Sequence, residues 1–146
     1  MANDFTADLT TAFQLDPARD IRNVHGAPGW FELVTPDPGK AAEYLGQLFG
    51  WGFRTIQVAG ADYQVILVRG HEVGGVRRPM PGEPTDPRWD TYVTVADVDQ
   101  LADQAAAAGA EVLVPPMPLG EVGRMTAVAH PHGGRALAFE YSRPFN

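Results

Sequence analysis

WFELVTPDPGKAAEYLGQLFGW, residues 30–51, is the stretch that decides the fold. Trp30 to Thr35 is rich in the aromatic and β-branched types that suit a pleated strand. Pro36-Asp37-Pro38 breaks it, and Asp37 stands where a helix N-cap accepts a backbone N–H, ahead of a proline that has none to donate. Gly39 to Phe49 then carries Ala41, Ala42, Tyr44, Leu45, Leu48 and Phe49 at helical spacing, and Gly50 stops the helix. The unit reads strand, cap, helix, stop.

Three short strands are predicted after it, over Gly52–Val58, Asp62–Arg69 and Glu72–Arg78, with Gly60 and Gly70 in the turns. PMPGEPTDP, residues 79–87, is a rigid Pro-rich linker. The programme then repeats. Asp90 to Val95 is a strand, Asp97 is placed to cap, Val98 to Ala108 is a strong helix former, and Gly109 ends it. Strands follow at Glu111–Val114, Arg124–His130 and Arg135–Tyr141. The two capping aspartates lie 60 residues apart. The expected fold class is α+β: two tandem βαβββ modules forming a cupped, mostly antiparallel sheet with helices outside.

The predicted domains are an N-terminal arm over 1–25 and one domain over 26–146. The domain divides into module 1 (27–79), linker 80–87 and module 2 (88–143). Phe5, Leu9 and Phe13 fall on one face of a short helical stretch that Asp16-Pro17 interrupts. The arm reads as mobile; an arm packed on a partner subunit is the other reading.

The chain has 146 residues, 45% of them hydrophobic, and a formal charge of −7. An acidic chain with no basic run is unsuited to nucleic acid or an anionic membrane. Without cysteine, disulfides, thiolate chemistry and Cys-ligated zinc are excluded. No segment approaches the roughly 20 apolar residues that span a bilayer. The N-terminus has acids where a signal peptide needs cations, so the expected location is the cytoplasm. Gly70 to Gly75 lacks the helix and Lys-Ser/Thr of a phosphate loop, and no Gly-x-Ser-x-Gly elbow occurs.

Residues 30–51 resemble the opening of the vicinal oxygen chelate superfamily, the glyoxalase/bleomycin-resistance/dioxygenase fold. GEVGRMTAVAHPHGGRALAFEY, residues 120–141, resembles the end of its second half, in the hydroxylase-like branch, with His130-Pro131-His132-Gly133-Gly134 at the characteristic turn. The resemblance covers about 27–143. It implies lyases, isomerases, epimerases, dioxygenases, thiol transferases and drug-binding proteins as candidate functions, and dimers that pair across sheet edges. It also implies metal ligands on the first and last strands of each half. Those positions hold Trp30, Asp90 and, near the last strands, Gly74 and Ala138. Trp, Gly and Ala offer a cation no side-chain donor, and Asp90 alone is too few. The expectation is therefore no metal and no cofactor. His25, His71, His130 and His132 fall before the first strand or in turns and are expected to be solvated.

Strand alternation assigns the cup. Phe31 and Leu33 belong under the helices, leaving Trp30 and Glu32 inside. Val93 and Val95 belong under the helices, leaving Asp90, Tyr92 and Thr94 inside. Leu137 and Phe139 are assigned to the helix side, leaving Ala136, Ala138 and Glu140 inside, and Gly74 and Val76 are assigned to the cup on the fourth strand. Gly74-Gly75 marks either a close approach by ligand or backbone, or a bulge. Trp51 and Phe53 read as core, as do Val112, Leu113 and Val114. Trp30 is either a pocket wall or a plug in the place of a metal.

Glu32 and Glu140, if adjacent, form a candidate general acid and base. The other readings are a salt bridge to Arg78, Arg124 or Arg135, or a carboxylate in solvent. The favoured function is binding of an apolar or aromatic small molecule by Trp30, Asp90, Tyr92, Thr94, Gly74, Val76 and Ala138. The alternatives are a metal-independent isomerase, cyclase or lyase, and then a metal-dependent lyase or dioxygenase. A homodimer is the expected assembly.

Overall fold

The computed structural model describes residue 22, residues 24–120 and residues 122–142. The strands are β1 (Pro28–Val34), β2 (Gly52–Val58), β3 (Ala61–Val68), β4 (His71–Arg77), β5 (Arg88–Thr94), β6 (Val112–Leu119), β7 (Gly123–Ala129) and β8 (Arg135–Tyr141); the helices are α1 (Pro38–Phe49) and α2 (Val98–Ala107). All eight strands form one sheet in the order β2-β3-β4-β1-β5-β8-β7-β6. Within each half the first and last strands run parallel, β1 with β4 and β5 with β8, and every other pairing is antiparallel. The sheet curls into a half-barrel, so the two tandem βαβββ modules stand as expected. The expected arm falls almost wholly outside the described residues.

The caps do what their chemistry dictates. Asp37 accepts the Lys40 amide at 3.1 Å, and Asp97 accepts the Gln100 amide at 3.0 Å. Gly50 closes α1 in the left-handed conformation, φ 71°, which residues with a side chain rarely adopt. The second half departs from expectation at β6, which runs on through Pro115, Pro116 and Pro118. Prolines are tolerated there because β6 is an edge strand with one neighbour. Leu113 on the same strand is 43% exposed rather than core.

The helices lie on the convex face. Leu45, Ile66 and Val76 pack there with Phe31, Leu33, Trp51 and Phe53; under α2, Val95, Val98 and Ala138 do so with Val93. The concave face holds a second apolar cluster, Tyr92, Met125, Ala127, Leu137 and Phe139, joined by Trp30, Met117 and Tyr141. This corrects β4 and β8. Val76 and Ala138 face the helices, and so does Gly74, whose missing Cβ would meet the Phe31 ring at 3.1 Å. Leu137 and Phe139 point into the cup. The reason is that both faces of the sheet are apolar, so hydrophobicity does not choose between registers one residue apart. Small Ala138 also lets the Ala-rich α2 approach closely. Among the described residues no helix is long and apolar enough to cross a membrane.

Candidate functional site

Glu32 sits at the middle of β1, opposite Gly75 on β4 and Asp90 on β5. Gly75 leaves a gap that the Tyr63 side chain fills from β3; a Cβ on Gly75 would lie 2.0 Å from the Tyr63 hydroxyl. Through this gap Tyr63 Oη donates to Glu32 Oε2 at 2.6 Å while accepting from Trp30 Nε1 at 2.8 Å. Arg77 Nε and Tyr92 Oη donate to Oε1 at 2.9 and 3.2 Å. Glu32 is 4% exposed, and both its oxygens are engaged.

The network continues into the linker. Arg77 donates through both terminal nitrogens to Glu83, at 2.8 and 3.2 Å. Glu83 Oε2 accepts from Arg88 at 2.6 Å, Arg88 Nε donates to Asp90 at 3.2 Å, and Arg135 donates to the same Asp90 oxygen. Three guanidiniums thus meet Glu32, Glu83 and Asp90, and the cluster is neutral. A buried charge costs several kcal/mol unless paired and hydrogen-bonded, and here every charge is. Among the described residues no buried side-chain polar atom lacks a partner. Glu83 also clamps the last strand of one half to the first strand of the other.

Burial pushes the Tyr63 and Tyr92 hydroxyls well above the usual phenol value, and the Glu32 charge adds to both shifts. Burial pulls the Arg77 guanidinium down, but Glu32 and Glu83 outweigh it and raise it. Partial burial pushes the Glu83 carboxyl up, but Arg77 and Arg88 outweigh it and hold it below the usual glutamate value. The signs fix the pH response. The raised tyrosines bind protons more tightly folded than unfolded, so their stabilisation is whole below about pH 10 and is lost above it. The depressed Glu83 stabilises above about pH 4.5 and ceases to as pH falls below. The melting temperature should therefore fall on both sides of a plateau. Tyr63 and Tyr92 should yield tyrosinate absorbance near 295 nm only as the far-UV circular dichroism collapses. Ionisation of all four tyrosines in a still-folded chain at about pH 11 would contradict this.

Beside this polar half of the cup lies an apolar half. Tyr92 meets Phe139 edge-on at 6.4 Å, and Phe139 meets Tyr141 at 4.6 Å. Met125 and Met117 complete the wall. Trp30 and Tyr92, directly paired across β1 and β5, stand on the border. A separate cavity of about 300 Å³ opens at the start of β1, between Arg22, Trp30, Phe31, Val73 and Thr91.

Of the expected site residues, Trp30, Glu32, Asp90, Tyr92 and Thr94 share the concave face; Thr94 gives its hydroxyl to the Arg22 carbonyl. Gly74, Val76 and Ala138 do not. Nor does Glu140: its Oε1 accepts the Val98 amide at 3.0 Å, at the N-terminus of α2 on the other face. The Glu32–Glu140 pair is therefore not formed. Of the suggested salt-bridge partners, Arg78 bonds the Pro36 carbonyl, Arg124 pairs with Asp99 and Arg135 pairs with Asp90. The partner of Glu32 is Arg77. Tyr63, Arg77, Glu83 and Arg88 were missed; the strand glycine at 75 was the one signal that pointed towards them.

The residues present do not fit a divalent cation. Glu32 and Asp90 face each other across the strand pair, but Arg77 and two tyrosine hydroxyls occupy both oxygens of Glu32, and Arg88 and Arg135 share Oδ2 of Asp90. A dication would displace guanidiniums from both carboxylates and gain too few donors. Among the described residues no three His, Asp or Glu side chains converge on another metal position. His25 Nδ1 accepts the Ala96 amide, and the exposed His130 and His132 rings lie 5.6 Å apart.

The family model of the Glyoxalase/Bleomycin resistance protein/Dioxygenase superfamily matches residues 27–137. A Mycobacterium bovis protein provisionally named glyoxylase CFP32 is 32% identical over 122 residues, which are 81% of this chain and 47% of that protein. The anthracycline biosynthesis protein DnrV of Streptomyces peucetius is 32% identical over 122 residues, 74% of this chain and 44% of that protein. The chain thus spans about half the length of the curated relatives it matches. A Streptomyces coelicolor methylmalonyl-CoA epimerase in complex with 2-nitronate-propionyl-CoA shares the fold, with a TM-score of 0.62 over 82% of this chain and 99% of that chain at 15% identity. With this fold and a family model matching most of its length, the chain belongs to the glyoxalase/bleomycin resistance protein/dioxygenase superfamily.

Proposed function

We propose that this chain binds an apolar, aromatic small molecule in its cup, without a metal ion and without converting it. The observation that carries this reading is the fully engaged Glu32: its oxygens accept from Tyr63, Arg77 and Tyr92, so the most deeply buried carboxylate of the cup is not left to take a proton from a ligand. What remains for a ligand is the wall of Tyr92, Phe139, Tyr141 and methionines, with Trp30 at its border. Aromatic walls with few polar groups suit a small planar ligand, and methionine adapts to its outline. The name of DnrV, an anthracycline biosynthesis protein, supports a polycyclic aromatic as the first ligand class to test. Placement in the hydroxylase-like branch and in the cytoplasm belongs to the same proposal; the first rests on Gly123-Arg124-Met125 and the turn after it.

The test is a fluorescence titration with an anthracycline aglycone, followed by mass spectrometry of the recovered compound and metal analysis of the protein. Saturable quenching at one per chain, weakened roughly tenfold by Trp30→Ala, with the compound unchanged, is the expected result. Quenching that never saturates would remove the reading. A changed mass would make the chain a metal-independent isomerase, cyclase or lyase, and a stoichiometric divalent ion would restore metal chemistry.

A further inference from the structure

At the linker end of the cup two guanidiniums converge on one carboxylate. Arg77 donates through its terminal nitrogens to Glu83 Oε1 and Oε2 at 2.8 and 3.2 Å, and Arg88 adds a bond to Oε2 at 2.6 Å. This fork matches the planar geometry of any carboxylate. Strand carboxylates aim both arginines: Glu32 on β1 accepts from Arg77 Nε at 2.9 Å, and Asp90 on β5 accepts from Arg88 Nε at 3.2 Å. The receptor is thus built by the strands, whereas its occupant comes from the linker.

The linker holds that occupant by few contacts. Within 79–87, Pro79 and Glu83 are half-buried and the other residues are exposed. Among the described residues, the hydrogen bonds tying this segment to the strands run through the Glu83 carboxylate and through Arg88, which also donates to the Pro84 carbonyl at 3.1 Å. The Met80 amide donates to Glu83 Oε1 at 3.3 Å, so the loop and the carboxylate are joined. A solute can reach the fork: the Arg77, Glu83 and Arg88 side chains are 18%, 21% and 21% exposed, against 5% for Glu32.

We propose that Arg77 and Arg88 form a carboxylate subsite, that Glu83 fills it in the unliganded chain, and that an aromatic ligand bearing a carboxylate displaces Glu83 and swings the linker out. This rests on the aromatic reading of the cup and adds the ligand's charged group. Charge agrees. Exchanging one carboxylate for another keeps the three guanidiniums matched by three anions, so no half-buried charge is stranded. Spacing agrees as well. Arg88 stands four residues before Tyr92 on the same face of β5, about 13 Å away, which three fused rings with a terminal carboxylate span.

The probes are anthracene-2-carboxylate and the uncharged anthracene-2-carboxamide, titrated by fluorescence at neutral pH. The wild type should prefer the acid by about threefold or more. Glu83→Ala removes the competitor, so the acid should bind roughly tenfold tighter than to the wild type, while the amide stays within about twofold. Asp86→Asn changes the net charge equally at an exposed position in the same linker and should leave both affinities within about twofold. Saturating the wild type with the acid should speed hydrogen exchange at the Met80 amide, which loses its bond to Glu83. Should Glu83→Ala not fold, Glu83→Gln takes its place, keeping the shape and dropping the charge. Acid and amide bound equally by both proteins would overturn the subsite and leave the aromatic reading standing. An acid affinity unmoved by the substitution, or Met80 exchange unchanged by the acid, also overturns it. So does acid binding that appears only once Glu83 is removed, which would make Glu83 a fixed part of the cluster. No saturable binding of either compound to either protein would remove the aromatic reading along with it.

Discussion

Replacing Glu32 with alanine should lower the free energy of unfolding by about 3–5 kcal/mol, the largest effect expected of any single polar substitution here. The change removes the acceptor for Tyr63, Tyr92 and Arg77 at once. It leaves a guanidinium with one carboxylate where it had two, and two phenol O–H groups without their acceptor in a water-poor site; each buried donor left unpaired costs about 1–3 kcal/mol. Glu32→Gln keeps an acceptor oxygen and should cost less. A urea-denaturation cycle with Arg77→Met separates the pair from its surroundings: if the two positions couple, the double variant loses less than the sum of the singles. A loss below about 1 kcal/mol for Glu32→Ala would mean that the cluster is not held as described.

Gly75→Ala should cost about 3 kcal/mol, with Gly75→Val worse, although alanine is an ordinary strand residue. The new Cβ would fall 2.0 Å from the Tyr63 hydroxyl and 2.2 Å from its ring, so Tyr63 must leave and take its bonds to Glu32 and Trp30 with it. The obstacle is a side chain, so it can be removed. In a Tyr63→Ala background Gly75→Ala should cost under about 0.5 kcal/mol. Gly74→Ala is the contrast: its Cβ would strike the Phe31 carbonyl oxygen at 2.4 Å, which is backbone, and no side-chain deletion should rescue it. Chemical denaturation of these variants reads both outcomes. Equal costs for Gly75→Ala in the two backgrounds would disprove the account of Tyr63.

The element order was legible because its punctuation is chemical. Asp37 and Asp97 cap, Gly50 and Gly109 stop, and the repeat between them announces two halves. The faces of β1 and β5 were legible too, because in each a more apolar set, Phe31 and Leu33 or Trp89 and Val93, alternates with a set bearing a carboxylate. β4 and β8 were not. In β8 the apolar Leu137 and Phe139 line the cup while Ala138 lies under α2, the reverse of the rule that large apolar residues go under helices. That rule fails wherever the other face is also packed. Glu140, in step with Ala138, went with it to the helix face. The polar cluster was illegible for another reason: Glu83 reaches Arg77 and Arg88 from a Pro-rich linker, where no periodicity assigns a direction.

β6 carries Pro115, Pro116 and Pro118 along one rim of the open sheet. Proline has no N–H, so wherever one of these positions faces outward the rim lacks a donor that an incoming strand would need, and it is a poor template for lateral growth. A polymer of sheets joined head to tail requires two receptive rims on every unit. With one blocked, edge-to-edge joining at the β2 rim would end after a single event, and the fold has a covalent safeguard against fibres in its own backbone.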